Sequence, residues 1–516
     1  MLVPNAGVCA VIDSADDQPT AGPVGGSLTW LAYEPEDYEA LLHRKVDTVQ
    51  QRFAGLLCGV EPAIHRSPPT HYRQRCRFAV REFDGKLSYA LFDHGAPGVA
   101  VDTFPVGSLP INTLMPRLMK EINGCATLSA GLAAVHFLGT QAGDMLVALI
   151  YGAPLLPGWR SAAAALRAAL AIPTLVGRAK GVCELLDRDW VTEEYALADG
   201  RRLRYRQMEG SFSNPSAAMC EHTLNWLCTC AAELSAAHAT VRGGELPQLL
   251  ELYCGNGNHT VALARHFARL LAVEIDRRLC EAAVHNLAAN GVGNASVLCS
   301  TSGRFCKRLL HQLSRPPRPK GIGVVGPGAE SVGAGGGGGT AASGGAAGSD
   351  SGAAGSTTPP AAESAAQAPS ATAARPTTGA SAVLAVGAGF APSGGSATVD
   401  APATAKGVTP PAARDLSTLT EDAAAWLAEA RQRPDAVLVD PPRCGLDADT
   451  RRLVARYTHI LYVSCNPDAL HADLQELARS HEVTRFAVFD HFAYTAHLEC
   501  GVCLRKRGEV TIAGLA

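Results

Sequence analysis

Five short apolar runs, at 249–253, 270–273, 295–299, 436–439 and 460–463, constrain the fold of this chain more than any other feature. Each is about the length of a buried strand and is bounded by turn residues; only Glu251 interrupts the first. Leu263, Phe267 and Leu270 follow the first run at helical spacing, so strand, Gly-bearing turn and amphipathic helix succeed one another from about Arg204 onward. Strands that alternate with helices cannot pair as hairpins. They imply a parallel, doubly wound α/β sheet covered by helices on both faces.

That rhythm is interrupted. Residues 316–413 are dominated by Gly, Ala, Ser, Thr and Pro, and Phe390 is the sole aromatic between 321 and 412. Such a stretch buries too little apolar surface to offset its conformational entropy, so it reads as a disordered insert. Closing a long loop costs only logarithmically more with length, so one sheet can be built from 204–315 and 414–516 around it. Upstream the pattern is mixed. Strand-like alternation at 72–81 and 87–92 and helical spacing at 111–122 and 162–170 suggest a separate α+β domain over 36–203. Residues 1–35 look irregular.

With a formal net charge of −3, no global basic excess points to nucleic acid, so any such surface must be local. No apolar run is long enough to span a membrane. The first cationic residue is Arg44, which fits neither a secretory signal nor an Arg-rich transit segment. The sixteen cysteines are scattered, several within apolar runs, and most read as reduced core thiols. An intracellular chain is expected, cytoplasmic in the first instance and with an organelle left open. A monomer is favoured.

Four motifs sit where strands end. Tyr253-Cys254-Gly255-Asn256-Gly257-Asn258 follows the first strand, and its glycines let backbone approach a ligand closely. Glu274 ends the next strand, where a carboxylate can bind both ribose hydroxyls. Thr260 stands where a dinucleotide fingerprint wants a third glycine, so an adenosyl cofactor without phosphates fits better. Asp440-Pro441-Pro442-Arg443 follows the fourth strand, and Arg443 would suit an oxygen that becomes negative. Ser464-Cys465-Asn466-Pro467 follows the fifth. Finally, Glu499 lies in the apolar run 498–504, costly there unless it is paired or functional. The plain alternatives are tight turns, a solvated strand end and a buried structural cysteine.

With His71-Tyr72-Arg73, Gly210-Ser211-Phe212, Pro215 and Cys500-Gly501-Val502, these motifs resemble, in order, those of the tRNA (uracil-5-)-methyltransferases, the RNA 5-methyluridine methyltransferase family. The likeness runs from about 38 to 507, broken only by the insert. It implies a Rossmann-like class I methyltransferase domain preceded by an α+β RNA-binding domain. It also implies S-adenosyl-L-methionine as methyl donor, held by Asn214, Tyr253, Gly255, Gly257, Asn258, Glu274 and Asp440, with no metal. Cys465 would be the nucleophile that adds to C6 of a uridine, Glu499 the base that removes the C5 proton, and Arg443 the cation facing the enolate. The substrate implied is tRNA, at the T-loop uridine, position 54. Two departures stand out: the family's Gln is Asn214 here, and a usual Pro is Ala493.

RNA contact is expected along two alternating stripes, Arg73, Arg75, Arg77 and Arg202, Arg204, Arg206, either of which could equally be a solvated strand face. Two rival readings remain: a ribosomal-RNA uridine C5-methyltransferase, and a catalytically idle RNA-binding or RNA-folding protein. Cys500 and Cys503 would point to opposite faces of a strand, so no metal pair is read there.

Overall fold

The computed structural model describes residues 35–92, 98–314, 414–415 and 435–508. The segment 1–35 apart from its last residue, and the insert 316–413, therefore lie outside the described residues.

Elements follow one another as α1 (Tyr38–Leu57), β1 (Pro62–His65), β2 (Arg75–Phe83), β3 (Lys86–Leu91), β4 (Val99–Val101), α2 (Leu109–Asn123), α3 (Ala126–Ser129), β5 (Leu132–Gly139), β6 (Met145–Tyr151) and α4 (Trp159–Leu170). Then come β7 (Thr174–Ala179), β8 (Val182–Leu186), β9 (Trp190–Ala196), β10 (Arg202–Met208), α5 (Ala217–Val241), β11 (Gln248–Leu252), α6 (Asn258–Leu263), β12 (Arg269–Glu274), α7 (Arg277–Ala289), β13 (Ala295–Cys299) and α8 (Ser302–Leu313). The last elements are β14 (Arg414–Asp415), β15 (Ala436–Val439), α9 (Ala448–Val454), β16 (His459–Ser464), α10 (Pro467–Leu477), β17 (His481–Phe489) and β18 (Glu499–Lys506).

Nine strands form the larger sheet in the order β1-β17-β18-β16-β15-β11-β12-β13-β14. The five predicted apolar runs are its centre, and Leu249, Leu250, Leu252 and all of 436–439 are fully buried, as strands covered on both faces must be. From β11 the chain winds outward through β12, β13 and β14, then crosses back to β15 on the other side of β11. That reversal opens a crevice at the carboxyl ends of β11 and β15, the usual ligand position in such sheets.

Three expectations need correction. The sheet is not wholly parallel, because β18 runs antiparallel to both β16 and β17. The first helix after β11 stops at Leu263; Ala264–His266 form a 3-10 turn, and Leu270 already belongs to β12. The chain has too few residues before β12 to continue the helix through Phe267. Third, α1 and β1 fall within the span read as the first domain, yet β1 pairs in parallel with β17 at the edge of the larger sheet. The expected boundary at 203/204 also cuts through β10, which among the described residues pairs only with β9.

The other large sheet, β4-β3-β2-β5-β6-β7-β8, is antiparallel except where α4 carries the chain from β6 to a parallel β7. Ile111, Met115 and Leu118 of α2 and Trp159 and Leu166 of α4 join Phe78, Phe137 and Val147 in its core. The opposite face buries Ala134, Leu138, Leu146 and Val176 with Val191 of β9. Among the described residues, no helix is long and apolar enough to cross a membrane.

Candidate active site

Every motif picked out at a strand end arrives at one edge of the nine-stranded sheet. Tyr253 follows β11, Glu274 ends β12, Asp440 follows β15 and Cys465 follows β16. Glu499 begins β18, and because that strand is reversed its start lies at the same edge. Ser464 pairs with Cys500 across the antiparallel ladder, so Cys465 and Glu499 are the residues that follow this last pair on the two adjacent strands. A reversed strand is what lets one edge carry both a thiol and a carboxylate from adjacent strands.

The turn after β11 is built for close approach. Tyr253 has φ 64, a left-handed conformation that costs a non-glycine residue about 1 kcal/mol or more. Gly257 has φ 77, and a Cβ there would lie 3.2 Å from Cβ of Ala283 on α7. Nothing lies within 4 Å of the place a Gly255 Cβ would take, so the turn opens onto free space. Glu274 is fixed beside it: one carboxylate oxygen accepts from Gly255 N at 2.9 Å, the other from Ile275 N and Asp276 N at 2.7 and 2.8 Å. Ile275, which the sequence reading passed over, is 64% exposed next to this buried acid. An exposed branched side chain beside a strand-end carboxylate offers an apolar platform for a flat ring. The residues present thus fit an adenosyl group: a carboxylate, an open glycine turn and an apolar plate, with no phosphate cradle.

Asn214 and Asn258 meet at a shared partner, the buried Cys220, with their Nδ2 atoms 3.2 and 3.3 Å from its sulfur. Cys220 carried no signal in the sequence beyond being one apolar cysteine among many.

At the other end of the edge two carboxylates share a poorly hydrated space. Burial raises Glu499 to about 7, and burial followed by the nearby Glu499 charge pushes Asp440 well above the usual carboxylate range. His491 Nε2 lies 3.4 Å from Glu499 Oε2, and burial lowers this imidazole to about 4, so it is neutral at physiological pH. Arg443 reaches His497 Nδ1 at 2.9 Å, and its carbonyl accepts from Asn466 Nδ2 at 2.8 Å, which ties the Asp-Pro-Pro-Arg loop to the thiol turn. Asn466 also caps α10 by accepting from Asp468 N at 3.0 Å. Cys465 therefore stands just before a helix N-terminus, where the dipole favours a thiolate. Gly501 allows α5 to close on β18, since a Cβ there would come 2.8 Å from the Trp226 ring.

Residues 490–498, which lead into Glu499, are held from far away. Lys45 of α1 is buried and binds Asp490 Oδ1 at 2.5 Å, Phe492 O at 3.1 Å, Ala493 O at 3.4 Å and His497 O at 3.2 Å. Tyr494 donates to Pro69 O at 2.7 Å. These bonds pin the loop although Ala493 replaces the expected proline.

The β10 stripe forms as read, with Arg202, Arg204 and Arg206 on one face and Leu203 and Tyr205 buried on the other, whereas the first stripe loses Arg73. Arg73 is buried, donates Nε to Arg75 O at 2.9 Å and lies over the Phe492 ring at 5.7 Å. Its place is outside β2, because His71 has φ 54 and the strand starts only at Arg75. Arg75 lies over the exposed ring of Phe212 at 5.4 Å, and Arg77 is half-buried on the same strand. On β10, Arg202 and Arg204 both engage Glu194, while Arg206 stacks on Trp190 at 4.0 Å. Two triplets on different sheets thus include exposed, paired and buried members.

A doubly wound sheet with a reversed strand, a glycine turn and an acid at the end of the second strand defines a class I methyltransferase fold. The model of the tRNA (Uracil-5-)-methyltransferase family matches residues 37–318 and 430–507. A tRNA/tmRNA (uracil-C(5))-methyltransferase of Ectopseudomonas mendocina is 33% identical over 483 residues, 92% of this chain and 99% of that protein. One of the same description from Aromatoleum aromaticum is 32% identical over 481 residues, 92% of this chain and 98% of that protein. The crystal structure of Pyrococcus abyssi tRNA (uracil-54, C5)-methyltransferase in complex with S-adenosyl-L-homocysteine shares the fold, with a TM-score of 0.53, 15% identity and coverage of 94% of this chain and 87% of that one. The chain belongs to the tRNA (uracil-5-)-methyltransferase family, and it is an enzyme of the methyl-transferring class.

Proposed function

We propose that this enzyme methylates C5 of a uridine in tRNA, at the T-loop position 54, through a transient bond between Cys465 and C6 of the base. The observation that carries this reading is that the β16–β18 ladder ends on the pair Ser464 and Cys500, so Cys465 and Glu499 are the next residues of the two strands at the edge where Tyr253, Glu274 and Asp440 also converge. The family and the printed activities of its relatives support the substrate.

S-adenosyl-L-methionine supplies an electrophilic methyl group. Glu274 would bind the ribose hydroxyls, Ile275 the adenine face, Tyr253, Gly255 and Gly257 the nucleoside through backbone, and Asn214, Asn258 and Asp440 the remaining polar atoms. C5 of uracil is too weak a nucleophile alone. Addition of the Cys465 thiolate to C6 moves electron density to O4 and C5, and the Arg443 guanidinium balances the enolate. After transfer, Glu499 takes the C5 proton, the C6–S electron pair returns to sulfur, and the ring recovers its double bond. A uridine stacked in a loop must first be turned out. Phe212, with Arg75 above it, and the exposed members of the arginine rows are the surfaces we assign to RNA.

Incubation of the purified chain with unmodified tRNA and methyl-labelled donor tests this. Label at the T-loop uridine is expected. Label in ribosomal RNA alone, or none in any RNA, would overturn it in favour of the rival enzyme or of an idle binding protein.

A further inference from the structure

Asn214 stands before α5 and Asn258 opens α6, yet their side chains converge on one atom. Cys220, in the first turn of α5, is fully buried. Its sulfur receives Nδ2 of Asn214 at 3.2 Å and Nδ2 of Asn258 at 3.3 Å. The Tyr195 hydroxyl is a third hydrogen-bond partner, itself held by Gln207 Nε2 at 2.9 Å. Burial pushes the Cys220 thiol up to about 11, so it is neutral at physiological pH and serves these amides as an acceptor.

A primary amide has a donor end and an acceptor end, and tying one end presents the other. Cys220 ties the nitrogen of both. Among the described residues neither Oδ1 accepts a hydrogen bond, and both side chains are only partly buried beside the open glycine turn. Two carbonyl oxygens offered together suit a cationic group rich in N–H. An amide free to turn could equally present its NH2 ends, which would repel that group. We propose that Cys220 is a positioning residue that turns Asn214 and Asn258 so that both carbonyl oxygens face the α-ammonium group of the bound methyl donor. This rests on the cofactor reading above.

Binding, not turnover, tests it. The full chain is titrated calorimetrically with S-adenosyl-L-homocysteine and with 5′-methylthioadenosine, which lacks the amino-acid end. Cys220→Ala should weaken the first ligand about tenfold and leave the second within about twofold. Cys220→Ser, which keeps an acceptor, should return the first to within about threefold of the parent. Equal weakening of both ligands by Cys220→Ala, or of neither, overturns the proposal. A parent chain that binds neither ligand overturns the cofactor reading and this inference together. Binding of both by the parent, with methylthioadenosine lost in Glu274→Ala, upholds the cofactor reading, so the Cys220 result is then judged alone.

Discussion

The thiol turn and the loop that delivers the carboxylate meet at one sheet edge but are held in opposite ways. Around Cys465 the bonds are mostly local: Ser464 Oγ to Asn466 O at 3.1 Å and Asp468 N to Asn466 Oδ1, with Asn466 Nδ2 also donating to Arg443 O 23 residues back. Around Glu499 they are distant, with Lys45 reaching across 445 residues to Asp490 and Tyr494 reaching back to Pro69. The thiol proposed as nucleophile is therefore set by the strand–turn–helix that carries it. The carboxylate proposed as base depends on a helix at the other end of the chain, and on that proposal damage there should spare addition while impairing elimination.

Lys45→Met should break that asymmetry most severely. It leaves Asp490 buried without its cation, a loss of about 3–5 kcal/mol in thermal or denaturant unfolding. Activity surviving below the new Tm should show slowed product release with Cys465 adduct formation retained. Equal loss of both steps would show that the two ends are not separately held.

pH sharpens the comparison next. Glu499, which shares its space with Asp440, keeps its proton up to about pH 7, the value to which burial raises it, and on the proposed route a protonated Glu499 cannot take the C5 proton. Turnover should fall about tenfold per pH unit below that point, while the fraction of adduct rises. The pair also affects stability, with a definite sign. Unfolded Glu loses its proton near about 4.3, so between that value and about 7 the folded chain binds more protons and loses stability as pH rises. Glu499→Gln should thus raise Tm at pH 8 and give no gain at pH 4. The smallest effect is on the thiol side: Asn466→Ala removes a helix cap worth about 1 kcal/mol and should slow adduct formation before it affects elimination.

The same asymmetry explains what could be read beforehand. The central strands and the motif residues at their ends were legible because each apolar run and its turn are local. Strand direction was not: nothing in 499–506 announces that β18 runs backwards, although that reversal brings Glu499 to the edge that carries Cys465. Nor was the docking of α1 and β1, since 62–65 is short, half-exposed and paired with a strand far along the chain. One signal was available and missed. Lys45 sits on the buried face of α1 with Leu41, Leu42, Val46 and Val49, where a lone cation needs a partner. The first arginine stripe lost Arg73 because the reading assumed a regular strand from Arg73, two residues before pairing with β5 begins.

The most direct measurement is a denaturing gel of the Glu499→Gln variant after incubation with methyl donor and unmodified tRNA. A protein–RNA band that resists denaturation, and that disappears when Cys465 is also changed to Ala, is the predicted result. Undiminished methylation by Glu499→Gln with no such band would contradict a sulfur-linked route with Glu499 as its base.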